Sequence, residues 1–330
     1  MRRRALLPAA LVPALLLAAC SSGEASAGGA SAGGAAGSGD EPLAVVASTN
    51  VWGDVAAQVG GDRAEVTSIV DDPSADPHSF ELTARDQLAV SRADLVVQNG
   101  GHYDDWLTTA LDALDEAPPV VEAVADGEHA DEEHAEETHS EEAHAEDAHA
   151  GHDHSAEGNE HVWYDLPLVA EVATRIAEHL GELDPEGAET YTANAEAFGE
   201  RVAGVQDEVA ALAAAVGGTG VAATEPVPGY LLEAAGLEDR TPAAYSGAIE
   251  EETDVPPAAM AEMLALFPSG QVALLVENPQ TTGPQTDEAV AAAEAAGVPV
   301  VEMTETLPEG EDYVGWMSAN VAAVRQALGA

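Results

Sequence analysis

Seven histidines fall between residues 126 and 160, among fourteen Asp and Glu residues and no Lys or Arg. His129, His134, His139, His144 and His149 recur at intervals of five, and His152 and His154 follow. Imidazole nitrogen and carboxylate oxygen are the ligands of borderline divalent metals such as Zn²⁺. The tract therefore reads as metal binding. Its spacing excludes a rigid site. Five residues turn a helix through about 500°, so successive rings would fan around the axis. Apolar residues larger than Ala are scarce in it, so nothing would hold it against a core. The expectation is a disordered loop over residues 126 to 160, with ends roughly 30 Å apart. Such a loop recruits ions weakly through exchanging ligand sets, an auxiliary role.

A defined site must come from elsewhere. Outside the tract the histidines are His78, His102, His161 and His179. His78 lies in Asp76-Pro77-His78-Ser79-Phe80, just past a strand candidate, and His161 in Glu160-His161-Val162-Trp163-Tyr164. Both stand at strand or loop ends, where ligands project into a cleft. Glu225 follows the apolar run Val221 to Thr224, and Glu277 ends the run Gln271 to Glu277. A carboxylate at the end of an apolar strand is costly to bury, and a cation would compensate it. His179 falls in the last turn of a helix, where positive charge suits the dipole. His102 sits in a turn beside Gly100 and Gly101. These last two read as structural.

The termini and composition set the compartment. Arg2, Arg3 and Arg4 precede an apolar run from Ala5 to Ala19 that Pro8 and Pro13 interrupt. It is too short for a membrane span and reads as a signal peptide over residues 1 to 19. Leu17-Ala18-Ala19-Cys20 resembles a bacterial lipobox, which implies lipidation of Cys20. Cys20 is the one cysteine of the chain, so the mature protein can form no disulfide and no thiolate metal site. Residues 20 to 41 read as a lipidated flexible tether rich in Gly, Ala and Ser. Formal charge is −51, with no Lys. A phosphate-neutralising nucleic-acid surface is excluded at that charge. The lack of Lys also removes P-loop and Schiff-base chemistry.

The elements that must position the ligands alternate. Strands are expected at Leu43 to Ser48, Ala64 to Val70, Asp94 to Gln98 and Val120 to Val124. Between them lie helices from Asn50 as cap to Val59, from Thr83 as cap through Leu88 and Val90, and from Tyr103 to Leu114. Pro167 opens another helix, and Pro185 a longer one. Tyr191, Ala195, Phe198, Val202, Val205, Val209, Leu212 and Val216 step by four and three along it, one apolar stripe of helical period. A second block alternates from Val221 to Leu328, with Ala243 to Tyr245 expected as a short strand. The fold class is α/β, with two parallel-sheet lobes joined by a long linking helix and a metal site in the cleft between them. The N-terminal lobe spans 42 to 184, the linking helix 185 to 216 and the C-terminal lobe 217 to 330.

The chain resembles the zinc/manganese solute-binding lipoproteins of bacterial ABC transporters. The marks are Asp76-Pro77-His78, the run Ala93 to Gly100 with Trp106 following, His161-Val162-Trp163, Thr224-Glu225 with Gly229-Tyr230, and Glu277-Asn278-Pro279-Gln280. The resemblance implies a metal held between lobes, with His78 and His161 as the first two ligands and Glu225 as the third. The fourth is commonly Asp beyond the strand ending at Glu277, where this chain has Thr281 and Thr282. That leaves Glu277, a water or a loop histidine for the position.

The functional expectation is an extracytoplasmic, lipid-anchored protein that captures Zn²⁺, or Mn²⁺ or Fe²⁺, and delivers it to an ABC-transporter permease. Ligands must be deprotonated, so binding should weaken as pH falls through the His range near 6.5. A metal buffer or adhesin is the alternative. A zinc hydrolase fits less well: no HExxH occurs, and no Ser or Cys nucleophile motif stands out. No enzymatic activity is expected.

Overall fold

The computed structural model describes residues 41–72, 75, 77, 80–124 and 158–330. Cys20, the histidine-rich tract from His129 to His154, and His78 lie outside them. No helix among the described residues is long and apolar enough to cross a membrane.

The first lobe holds β1 (Leu43–Thr49), α1 (Asn50–Gly60), β2 (Ala64–Val70), α2 (Ala84–Val90), β3 (Leu95–Gly100), α3 (Asp105–Asp112) and β4 (Val120–Val124). Its strands pair in parallel in the order β2-β1-β3-β4. A 3₁₀ turn at Val162–Tyr164 leads into α4 (Leu166–Leu183) and α5 (Ala188–Val216), a helix of 29 residues. The second lobe holds β5 (Gly220–Ala223), α6 (Gly229–Ala234), β6 (Glu238–Asp239), α7 (Ala243–Glu250), α8 (Pro257–Ser269), β7 (Leu275–Glu277), α9 (Pro284–Ala296), β8 (Val300–Glu302) and α10 (Tyr313–Leu328). Its sheet is also parallel, in the order β6-β5-β7-β8. Two parallel-sheet α/β lobes and a long connecting helix are therefore what the chain forms.

Strand pleating explains how each sheet is covered. Val45, Ala47, Leu95 and Val97 face a central apolar cluster, while Val46 and Val96 face a second cluster with Leu107 and Leu111. In the other lobe Val221, Ala223, Leu274 and Val276 join the central cluster, and Ala222 and Leu275 face an outer one. Successive side chains point to opposite faces, so both faces of a parallel sheet need apolar cover. The central cluster is continuous across both lobes. It includes Trp163, Tyr164, Met317 and seven buried residues of α5, from Tyr191 to Leu212. That burial holds a helix containing Gly199 and Gly204, whose propensity alone is unfavourable.

Three local expectations are corrected. Ala243 to Tyr245 opens α7 and is not a strand: Pro242 precedes it, the Tyr245 N–H donates to the Pro242 carbonyl, and Tyr245, Ala248 and Ile249 bury at helical spacing. Thr49, not Asn50, is the N-cap of α1. Asn50 instead makes two side-chain hydrogen bonds to the backbone of Leu307, at 2.9 and 2.8 Å, from one lobe to the other. Residues 158 to 160, assigned above to the disordered tract, are anchored: the Asn159 side chain donates to the Pro226 carbonyl at 2.8 Å, and the Glu160 carbonyl accepts from the Asn99 side chain at 2.9 Å. Strand β6 is both exposed and acidic, so it carried no apolar signal.

Phe198 is buried in the shared core with its ring 6.0 Å from that of Tyr313. Phe198→Ala is expected to cost about 3–5 kcal/mol. Urea unfolding should show that loss in one transition reported equally by probes in both lobes, because the core is common to them.

Candidate metal centre

The carboxyl ends of the strands converge from both lobes. From the first lobe come Asn99 and Gly100 at the end of β3, followed by Tyr103. From the second come Thr224 and Glu225 after β5, Glu277 and Asn278 at β7, and Glu305 after β8. This is where open α/β sheets place ligands.

His161 is at the centre, fully buried at the start of the 3₁₀ turn. Its ring lies edge-on to Tyr103 and Trp163, with centroids 5.9 and 5.2 Å away. The Nε2 atom is 3.8 Å from Oε2 of Glu305, whose side chain is 1% exposed. Nδ1 is 2.8 Å from Oδ1 of Asn159 and 3.7 Å from Oε1 of Glu250 at the end of α7. Glu160, His161 and Glu250 have ligating atoms within 4.8 Å of one another. A nitrogen that hydrogen-bonds Asn159 cannot also coordinate, so the Nε2 side facing Glu305 is the stronger candidate.

Glu305 is braced from both lobes. Its Oε1 accepts from the Asn278 amide at 2.8 Å and its Oε2 from the Tyr103 hydroxyl at 3.1 Å. Its backbone N–H donates to Oε1 of Gln280 at 2.6 Å, and the Gln280 amide donates onward to the Ala75 carbonyl at 2.8 Å. Burial and the charge of Glu305 push the Tyr103 hydroxyl well above its ordinary range, so it stays a neutral donor. Glu225 is buried and accepts from the Thr281 hydroxyl. All these described donors are neutral groups.

The sites read from sequence divide as follows. His161 and Glu225 are buried at the interlobe mouth. His78 lies outside the described residues, but its neighbours Ala75 and Pro77 are held by Gln280 and by Nε1 of Trp106. Glu277 is half-buried and faces other acids. Burial first, then the charges of Glu302, Asp287 and Glu294, raise its carboxyl above the usual range. His102 is exposed and 3.3 Å from Asp105. The sequence reading missed Glu305, Glu250 and Asn159. Glu305 carries a weaker form of the signal that marked Glu225, a carboxylate shortly after a strand, here three residues past Glu302 at the end of β8. Thr281, where an Asp was looked for, serves Glu225 instead.

Comparison with known proteins gives the family and the fold. The profile of the family described as zinc-uptake complex component A, periplasmic, matches residues 45–327. The chain belongs to that family. A manganese-binding lipoprotein of Halalkalibacterium halodurans is 32% identical over 164 residues, 48% of this chain and 45% of that one. An iron-binding protein of Yersinia pestis is 27% identical over 158 residues, 48% and 45% of the two chains. These matches thus span about half the length of the curated relatives. The periplasmic zinc-binding protein of Treponema pallidum superposes with a TM-score of 0.68 at 20% identity, over 87% of this chain and 99% of that one, which shows a common fold. The zinc-uptake component A family comprises metal solute-binding components, not enzymes.

Behind the centre, Asp104 accepts from the backbone N–H groups of Asn99 at 2.6 Å and Gly100 at 2.9 Å. Burial pushes its carboxyl up to about 6 despite those bonds. A folded value above the unfolded one means stability is present at low pH and lost as pH rises through the folded value. Relative to Asp104→Asn, the wild type should therefore lose about 2 kcal/mol of unfolding free energy between about pH 4 and pH 7. Urea titrations of both proteins at the two pH values measure it.

Proposed function

We propose that this protein captures a divalent metal ion, Zn²⁺ foremost, between its lobes and delivers it to an ABC-transporter permease, held at the outer face of the membrane by lipid on Cys20. The observation that carries this is the buried pairing of His161 Nε2 with Glu305 at 3.8 Å, with Glu225 buried at the same strand-end mouth. The proposed ligands are His78, His161, Glu225 and Glu305. Glu305 replaces Glu277 as the fourth because it adjoins the histidine and is held by Tyr103 and Asn278, whereas Glu277 faces Glu302 and Asp287. The histidine-rich tract, from His129 to His154, acts as a recruiter and not as the site.

Two imidazoles and two monodentate carboxylates suit tetrahedral Zn²⁺, and the tract adds imidazole for the same ion. The two carboxylates also favour a second reading, Mn²⁺, if both bind through two oxygens. Affinity alone does not separate the two, because nitrogen and oxygen sites generally bind Zn²⁺ more tightly than Mn²⁺. X-ray absorption of the Zn²⁺-loaded protein does: a four-coordinate shell supports zinc, and a five- or six-coordinate shell supports manganese.

Isothermal titration with Zn²⁺ tests the ligand set. Glu305→Gln and His161→Ala should weaken the tight site by more than the roughly 10–100-fold typical of outer-shell changes. Glu277→Gln should shift it only a few-fold. Deleting residues 126 to 157 should leave one tight site and remove weak ones; loss of the tight site would sink the transporter reading in favour of a metal buffer.

A further inference from the structure

Asn159 has three side-chain contacts whose chemistry is mutually restrictive. Its Nδ2 donates to the Pro226 carbonyl at 2.8 Å. Its Oδ1 accepts from the His161 backbone N–H at 3.0 Å. The same oxygen lies 2.8 Å from His161 Nδ1. A carbonyl cannot donate and a backbone N–H cannot accept, so the first two contacts fix which amide atom is oxygen. The third then has one solution: Nδ1 carries the proton and donates to Asn159. The lone pair of the neutral ring is left on Nε2, the nitrogen that faces Glu305.

The backbone around Asn159 is fixed as well. The Tyr230 hydroxyl donates to the Asn159 carbonyl at 2.6 Å. Gly229 lies so close that a Cβ there would stand 2.7 Å from Asn159 Nδ2. Pro226 directly follows Glu225, so the amide that orients His161 also grips the segment bearing the other lobe's carboxylate.

We propose that Asn159 is a positioning residue for metal capture. It locks His161 in the Nδ1–H tautomer, so that Nε2 is available to the ion without rearrangement, and it ties that ring to the lobe carrying Glu225. This rests on the reading of His161 as a ligand. Its physical basis is general: a ligating histidine is oriented by the hydrogen bond that its other nitrogen donates.

The test uses the full chain, free of metal, at one alkaline pH where imidazoles are neutral. Long-range ¹⁵N–¹H spectra of histidine-labelled protein report each tautomer, and His161→Gln identifies the His161 signals. Wild type should show Nδ1–H at His161. Asn159→Asp keeps the Oδ1 acceptor but loses the Nδ2 donor to Pro226, so it should keep that tautomer while weakening Zn²⁺ binding less than Asn159→Ala does. Asn159→Ala should lose the Nδ1–H preference and bind Zn²⁺ roughly 10–100-fold more weakly. Gly229→Ala, which crowds Asn159 from outside the site, should move both readouts in the same direction. An Nε2–H tautomer in the wild type, or an Asn159→Ala protein with unchanged tautomer or unchanged affinity, overturns the proposal. The tautomer is read without metal, so its failure is separate from that of the ligand reading, which instead fails if His161→Gln leaves the tight site intact.

Discussion

Burying the carboxylate of Glu305 is the constraint around which the cleft is organised. An ionised carboxylate moved out of water costs several kcal/mol unless hydrogen bonds and charge offset it. The described structure meets that cost with donors from both lobes: Tyr103 from the first, Asn278 from the second, and Gln280 holding the backbone while reaching back to Ala75. These bonds can form only if the carboxyl ends of two parallel sheets face one another. The continuous apolar core arranges that, and the Asn50 bracket to Leu307 holds it in register.

The residues around this centre are graded by protonation chemistry. Tyr103, Tyr164 and Tyr313 are buried and held neutral by burial. Asp104 is kept acceptor-rich by two backbone amides, and through Asn99 it supports the Glu160 carbonyl beside His161. Neutral donors and fixed amides thus stand behind the groups that would meet a cation.

Much of the architecture was legible in the sequence because its signals were long and periodic. Of the stripe from Tyr191 to Val216, the residues from Tyr191 to Leu212 form the buried face of α5, and Val216 at its end is half-buried. Strands β2 and β4 fell where β-branched runs placed them. The errors came where the signal was short or absent. Three residues, Ala243 to Tyr245, cannot separate a strand from the first turn of a helix. Asn50 has the chemistry of a cap, and only tertiary contact shows that it is spent on Leu307. In the site, Glu225 is marked by its place immediately after an apolar run, whereas Glu305 is separated from β8 by Met303 and Thr304 and its signal is diluted. Asn159 was invisible for a different reason: its role lies in three directed hydrogen bonds, and residue type alone does not encode direction.

The unbroken core has a consequence for recognition. Swinging the lobes apart would open the layer that buries Trp163, Tyr164 and Met317 and would wet it. Large changes of outline are therefore closed to this protein. A receptor that must tell a laden molecule from an empty one cannot gauge its silhouette. On the proposed function, such a receptor would have to read the side chains at the rim of the cleft.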